Sequence, residues 1–141
     1  MPEQVSDGKP TPKAAQIHLR IVELFLAGRQ AEALTFIDPD VVDHRGGAHG
    51  DCVGLAAWKD KWDHMDDGDL EGVSLTIEQN VASDDFSVNR YTFRGTHPAS
   101  GRRAEVTGLD MVRVRDGKLV EHWALLDSAA IQHQIADVRR S

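Results

Sequence analysis

A chain of 141 residues, 40% of them hydrophobic, is enough for one compact domain with a core of useful size and leaves no room for a second. Its formal net charge of −7 argues against a general nucleic-acid or anionic-membrane binder, which needs a basic surface to displace counterions. No apolar run approaches the length that spans a bilayer, and the lone Cys52 cannot form an internal disulfide; together these point to a reducing, cytoplasmic setting.

The start of the chain is polar and carries Pro2, Pro10 and Pro12, so residues 1–12 are expected to be a disordered tail ahead of a single domain over 13–141. Ile17, Ile21, Leu24 and Phe25 recur at helical spacing and predict a helix from about Pro12 to Ala27, with Gly28 placed to end it. A shorter helix is expected over Gln30 to Ile37, stopped by Asp38-Pro39. Val41 to His44 then has the composition of a short strand entering a glycine-rich loop, Gly46 to Gly50. A third helix follows, with Leu55, Trp58, Trp62 and Met65 on one stripe and Lys59, Asp60 and Asp63 facing away.

After Asp66 to Asp69 the period changes from helix to strand. Val73, Leu75 and Ile77 alternate with polar residues, a turn at Ser83-Asp84-Asp85 leads into a long strand from Phe86 to His97, and a hairpin spans Glu105 to Asp127. The end, Ser128 to Arg140, is weakly helical, with Ile131, Ile135 and Val138 on one side. Helices first and a meander last predict an α+β domain, a curved sheet wrapped over its helices.

The hairpin carries the strongest chemical signal. On its first strand Ala104, Val106, Gly108, Asp110, Val112 and Val114 share one side, and Asp110 is the only charge among them. On the second strand Val120, His122, Ala124 and Leu126 form a similar set in which only His122 titrates. A two-residue loop at Asp116-Gly117 would put Asp110 opposite Trp123. A three-residue loop, Arg115 to Gly117, would pair Val114 with Lys118 and Asp110 with His122, and this register is preferred because it keeps every valine on one side. The expected result is an interior acid/base pair, Asp110 and His122.

Other side chains are weaker candidates for substrate contact. His97 ends a strand at the expected pocket rim, Asp43-His44 ends another at the expected pocket mouth, and Trp58 and Trp62 are most simply core and secondarily a flat wall for an aromatic ligand. His18 lies between the polar and apolar sides of its helix and receives no role. His44, His49, Cys52 and His64 match no common zinc spacing, so no metal is expected.

Val42-Asp43-His44, the run Arg90-Tyr91-Thr92-Phe93-Arg94-Gly95-Thr96-His97, Gly101-Arg102-Arg103, Thr107-Gly108-Leu109-Asp110, Asp116-Gly117-Lys118 and Glu121-His122-Trp123 together resemble the SnoaL-like polyketide cyclase family, from about Ala14 to Asp127. The resemblance implies a nuclear transport factor 2-like cone, in which a strongly bent antiparallel sheet and three N-terminal helices enclose a pocket. It also implies homodimers through the outer sheet face. The sequence allows this independently, because Leu109, Met111, Trp123 and Leu125 form an apolar group opposite to Asp110, unless the tail helix from Ser128 covers it.

Cyclase-type members of that family close a ring by intramolecular aldol condensation on a polyketide ester. The proton removed lies between carbonyls, so one positioned carboxyl group and a hydrogen-bond donor can be enough, with no cofactor. In the cyclases, as aligned, the acid/base aspartate directly follows the Trp of Glu-His-Trp; here that position is Ala124. Asp110 is a candidate substitute on the same face, with Ala124 lining the substrate site. The expected function is therefore a cofactor-independent cyclase or isomerase acting on a small apolar or aromatic carbonyl compound. The alternatives are a non-catalytic binding protein of the same fold and an accessory polyketide hydroxylase.

Overall fold

The computed structural model describes residues 3–4, 10–45, 50–64 and 70–136. Residues 1–2, 5–9, 46–49, 65–69 and 137–141, among them His49, Met65 and Val138, lie outside them. The elements run β1 (Glu3–Gln4), α1 (Lys13–Leu26), α2 (Gln30–Leu34), β2 (Ile37–His44), β3 (Asp51–Val53), α3 (Leu55–Asp63), β4 (Glu71–Ala82), β5 (Phe86–Thr96), β6 (Arg103–Arg115), β7 (Lys118–Leu126) and α4 (Ser128–Ala136). The architecture is α+β, with a curved sheet that does not close into a barrel.

The strand order is β1-β4-β5-β6-β7-β2-β3. The long meander β4 to β7 is antiparallel, but β2 runs parallel to β7 and β1 parallel to β4, so the sheet is mixed rather than purely antiparallel. Glu3–Gln4, expected within a disordered tail, instead pair with Gln79 and Asn80 at the sheet edge.

Helix α1 forms where the periodic apolar residues predict it and lays Ala14, Ala15, His18, Ile21 and Leu24 against the sheet. It ends as Gly28 expects: Gly28 takes φ +76, its N–H donates to Phe25 O, and Arg29 N–H donates to Leu24 O, which satisfies the last carbonyls. Helix α2 stops at Leu34, three residues before the expected end, because Ile37 is drawn into the sheet beside Leu119. Pro39 is tolerated inside β2 because the ladder with β7 is interrupted between Ile37 and Val42, so no hydrogen bond is lost there. The short β3 was not foreseen; three residues carry too little periodicity to show.

The main core packs Ile21 and Leu24 of α1, Ile37 and Val41 of β2, Trp58 and Trp62 of α3, and Val112, Val114 and Leu119 of the hairpin. Each fully buried aliphatic side chain stabilises by about 1.5–3 kcal/mol. A second cluster joins Leu70, Ala104, Val106 and Ile131, so α4 covers the far end of the same concave sheet face. Gly95 lies beneath it, where an added Cβ would sit 2.7 Å from Leu70 Cβ.

The hairpin between β6 and β7 corrects the expected register. Asp116 (φ +53) and Gly117 (φ +75) form a two-residue type I′ turn that pairs Arg115 with Lys118 and Val114 with Leu119. The register then shifts at Val120, after which Arg113 pairs with Glu121, Val112 with His122 and Asp110 with Ala124. Asp110 and His122 are thus diagonal neighbours, not a directly opposed pair. They still share the concave face, because the bulge restores the parity that the short turn removes.

Candidate active site

The bulged hairpin sets Asp110 Oδ2 3.2 Å from His122 Nε2. A second imidazole reaches the same oxygen from α1, where His18 Nε2 lies 2.9 Å away. His18 is buried at 2% exposure, and its Nδ1 sits 2.7 Å from Ser87 Oγ, which itself accepts from Asn80 Nδ2 at 2.8 Å. Ser87, Asn89 and Tyr91 alternate on the inner face of β5, and Asn80 donates to Asn89 Oδ1 as well. Asn80 to Ser87 to His18 to Asp110 is therefore a continuous polar chain. Asp110 Oδ1 accepts no hydrogen bond from a described residue.

On its other side His122 faces a second acid. Its Nδ1 is 2.9 Å from Asp43 Oδ1, and Asp43 Oδ2 accepts from Lys61 Nζ at 2.9 Å and Arg45 Nε at 3.0 Å. Burial alone would push the Asp110 and Asp43 carboxyls up. The imidazoles beside Asp110, and His122 with Lys61 beside Asp43, outweigh it and hold both well below the usual carboxylate range. Burial likewise disfavours charge on His122, but the two carboxylates win and raise it above 6.5. A ring between two acceptors must donate from both nitrogens, so His122 is an imidazolium here. Burial lowers Lys61, against the pull of Asp43.

These groups border a cavity of about 260 Å³, lined by α1, α3 and the concave sheet face. Its walls are mainly apolar, with Ile21, Phe25, Trp62, Leu75 and Ile77 among them, and Leu26, 51% exposed, lies at its mouth. Lys61 enters with its Nζ 3.5 Å from the centroid of the Trp58 ring, and the same ring meets His122 edge-on at 5.1 Å. Among the described residues, no three His, Cys, Asp or Glu side chains converge in a metal-holding arrangement.

Of the residues singled out from the sequence, the structure gathers Asp110, His122, Trp58, Trp62 and Ala124 around this cavity. It places His44 and His97 elsewhere. His44 is on the outer sheet face, stacked on Trp123 at 4.8 Å and bonded to Glu121 Oε2 at 2.8 Å. His97 Nδ1 pairs with Ser100 Oγ at 2.7 Å in the β5–β6 loop, away from the cavity wall. The sequence assigned nothing to His18, Lys61 or Asn89 and placed Asp43 only with His44 at the expected pocket mouth. One signal was available: His18 follows Ala14 and precedes Ile21 on a buried helical stripe, so its ring had to find polar partners inside.

The SnoaL-like polyketide cyclase family model matches residues 15–135, nearly the whole described domain. The chain belongs to the SnoaL-like polyketide cyclase family. Among solved structures it is similar to wild-type IdmH from Streptomyces antibioticus, provisionally a polyketide cyclase, at 29% identity over 87% of this chain and 98% of that one, with a TM-score of 0.73. A loop-truncation variant of IdmH gives 32% identity over 86% and 98%, with a TM-score of 0.72. AclR from Streptomyces galilaeus, provisionally a hydroxylase, shares the fold at 19% identity over 90% and 94%, with a TM-score of 0.69. No curated protein matches the chain.

Within this SnoaL-like domain, Ala124, where the resemblance implies an aspartate in the cyclases, is directly across the ladder from Asp110. A carboxylate at 110 therefore occupies the same rung from the neighbouring strand.

Proposed function

We propose that this SnoaL-like protein is a cofactor-independent cyclase or isomerase that performs aldol-type acid/base chemistry on a small, mainly apolar, polyketide-like carbonyl compound. The observation that supports this most is Asp110 itself: one carboxylate oxygen held by two imidazoles, the other unengaged by any described residue, at the wall of an apolar cavity. Asp110 Oδ1 takes a proton from the carbon between two carbonyls, and the electron pair moves onto a carbonyl oxygen. The enolate carbon then attacks a second carbonyl, and the alkoxide formed recovers the proton from Asp110. His122 keeps the carboxylate ionised and oriented.

Because the imidazoles make Asp110 a weak base, each unit of pKa lowered costs about 1.4 kcal/mol of driving force for proton removal. This restricts it to protons already acidified by two carbonyls, which is the polyketide pattern. Asp110→Asn is expected to abolish turnover of a β-dicarbonyl ester while leaving thermal unfolding cooperative; full activity in that variant would remove the proposal.

The weak base and the alanine at 124 favour a second reading, a binding protein without chemistry, in which a tight ligand is recovered unaltered after long incubation. An accessory hydroxylase would instead form product only with oxygen. The proposal extends to a cytoplasmic homodimer joined through the outer sheet face. Leu109 and Leu125 are ladder partners there, 44% and 76% exposed, and α4 packs on the opposite face and so does not cover them.

A further inference from the structure

Tyr91 is the ladder partner of Gly108, and a Cβ at 108 would lie 2.6 Å from both Cζ and Oη of Tyr91. The ring lies across β6 in the space that any side chain at 108 would fill. Gly108 and Asp110 are two residues apart on one strand face, so the phenol end is carried toward the Asp110 carboxylate. Burial, and then that carboxylate, push the phenol up to about 12, which keeps it a neutral O–H donor at physiological pH. Tyr91 and Asp110 both line the cavity, and the hydroxyl makes no hydrogen bond to a described residue.

Two other donor side chains at the wall are already engaged, and Trp58 Nε1, which finds no partner, has almost no exposed surface. His122 directs one nitrogen to Asp43 and the other to Asp110, and Lys61 is bonded to Asp43 and seated over Trp58. Among the described residues, the Tyr91 hydroxyl is a cavity-wall donor without a partner of its own.

We infer that Tyr91 is a catalytic residue, the hydrogen-bond donor to the substrate carbonyl oxygen, and that Gly108 is the seat that positions its ring. The inference rests on the proposed proton abstraction by Asp110. As Asp110 Oδ1 takes the α proton, the C–H electron pair delocalises onto the carbonyl oxygen, and the Tyr91 O–H bond to that oxygen strengthens while the proton stays on tyrosine. Loss of one such donor lowers kcat by about 10²–10³.

The test uses two probes of similar shape, 2-acetylnaphthalene, which can only accept a hydrogen bond, and 2-ethylnaphthalene, which can do neither. The wild type is expected to prefer the ketone and to shift its carbonyl stretch to lower frequency. Tyr91→Phe should weaken the ketone about tenfold, leave the hydrocarbon unchanged and return the stretch toward its free value. Gly108→Ala, by displacing the ring, should do the same with the hydroxyl still present. Ketone affinity and frequency unchanged in Tyr91→Phe would overturn the role of Tyr91 and leave the pocket reading standing. Failure of the wild type to bind either probe would overturn the pocket reading and this inference with it.

Discussion

Asp43 and Asp110 are joined through a single ring: Oδ1 of Asp43 lies 2.9 Å from Nδ1 of His122, and Oδ2 of Asp110 lies 3.2 Å from its Nε2. Neutral imidazole could serve only one of them. The arrangement is stable as carboxylate, imidazolium, carboxylate, and Lys61 and Arg45 add two further cations on Asp43. Asp110 is thus held at one end of a network whose far end is anchored on β2 and α3.

The network fixes a pH window. His122 is raised, so its contribution is complete below 6.5 and is lost as pH rises through its folded value. Asp43 and Asp110 are lowered, so theirs is complete above 3.8 and is lost as pH falls through their folded values. Thermal stability is expected to be greatest between about 4 and 6.5. His122→Gln should flatten the alkaline decline; an unchanged decline in that variant would place its cause elsewhere.

Asp43→Asn leaves Lys61 and Arg45 without their carboxylate. The expected loss in denaturant unfolding is about 3 kcal/mol, near the low end for a broken buried pair, because Lys61 and Arg45 keep 24% and 26% exposure and can rehydrate. Proton NMR of the imidazole should also show His122 titrating at lower pH than in the wild type.

Ala124→Asp sets a second carboxylate opposite Asp110. Two acids on one rung cannot both ionise freely, so the pair should titrate in two steps, the upper above that of the parent. The acid limb of the pH–rate profile is the place to look, and a coincident limb would mean the new side chain turns to solvent.

How far the site was legible from the sequence depends on the kind of information each residue needed. Asp110 and His122 showed themselves as lone titratable groups on apolar strand faces, and alternation put each on the apolar side of its own strand. Their pairing needed more, because the run 113–121 between Val112 and His122 is odd in number. An odd run needs either a longer loop or a bulge, and the chain uses the bulge at Val120. His18 and Asp43 come from other elements, and their approach to the hairpin is set by packing. Helical periodicity puts His18 at the margin of a buried stripe but does not say what it meets. The helices α1 and α3 and the strands β4 to β7 were legible because each is long enough for several periods.

If the outer face forms the dimer, Leu125→Arg should shift sedimentation to the monomer with little change in unfolding free energy, since Leu125 is already exposed in one chain. A wild type that sediments as a monomer at micromolar concentration would remove this part of the proposal.

Leu24→Ala makes a useful contrast with the site variants. Leu24 is 1% exposed in the main core and does not line the cavity. The substitution should cost about 2–5 kcal/mol in denaturant unfolding and leave ligand affinity intact where the protein remains folded.

The bulge at Val120 also bears on how related chains are compared. Because it absorbs one odd residue, a hairpin shorter by one could form a regular ladder with the same two-residue turn and still set Val112 opposite His122. Two proteins whose hairpins differ in length by a single residue can then present the same carboxylate and imidazole to a ligand. An alignment that insists on equal spacing across this segment would score them as having different chemistry.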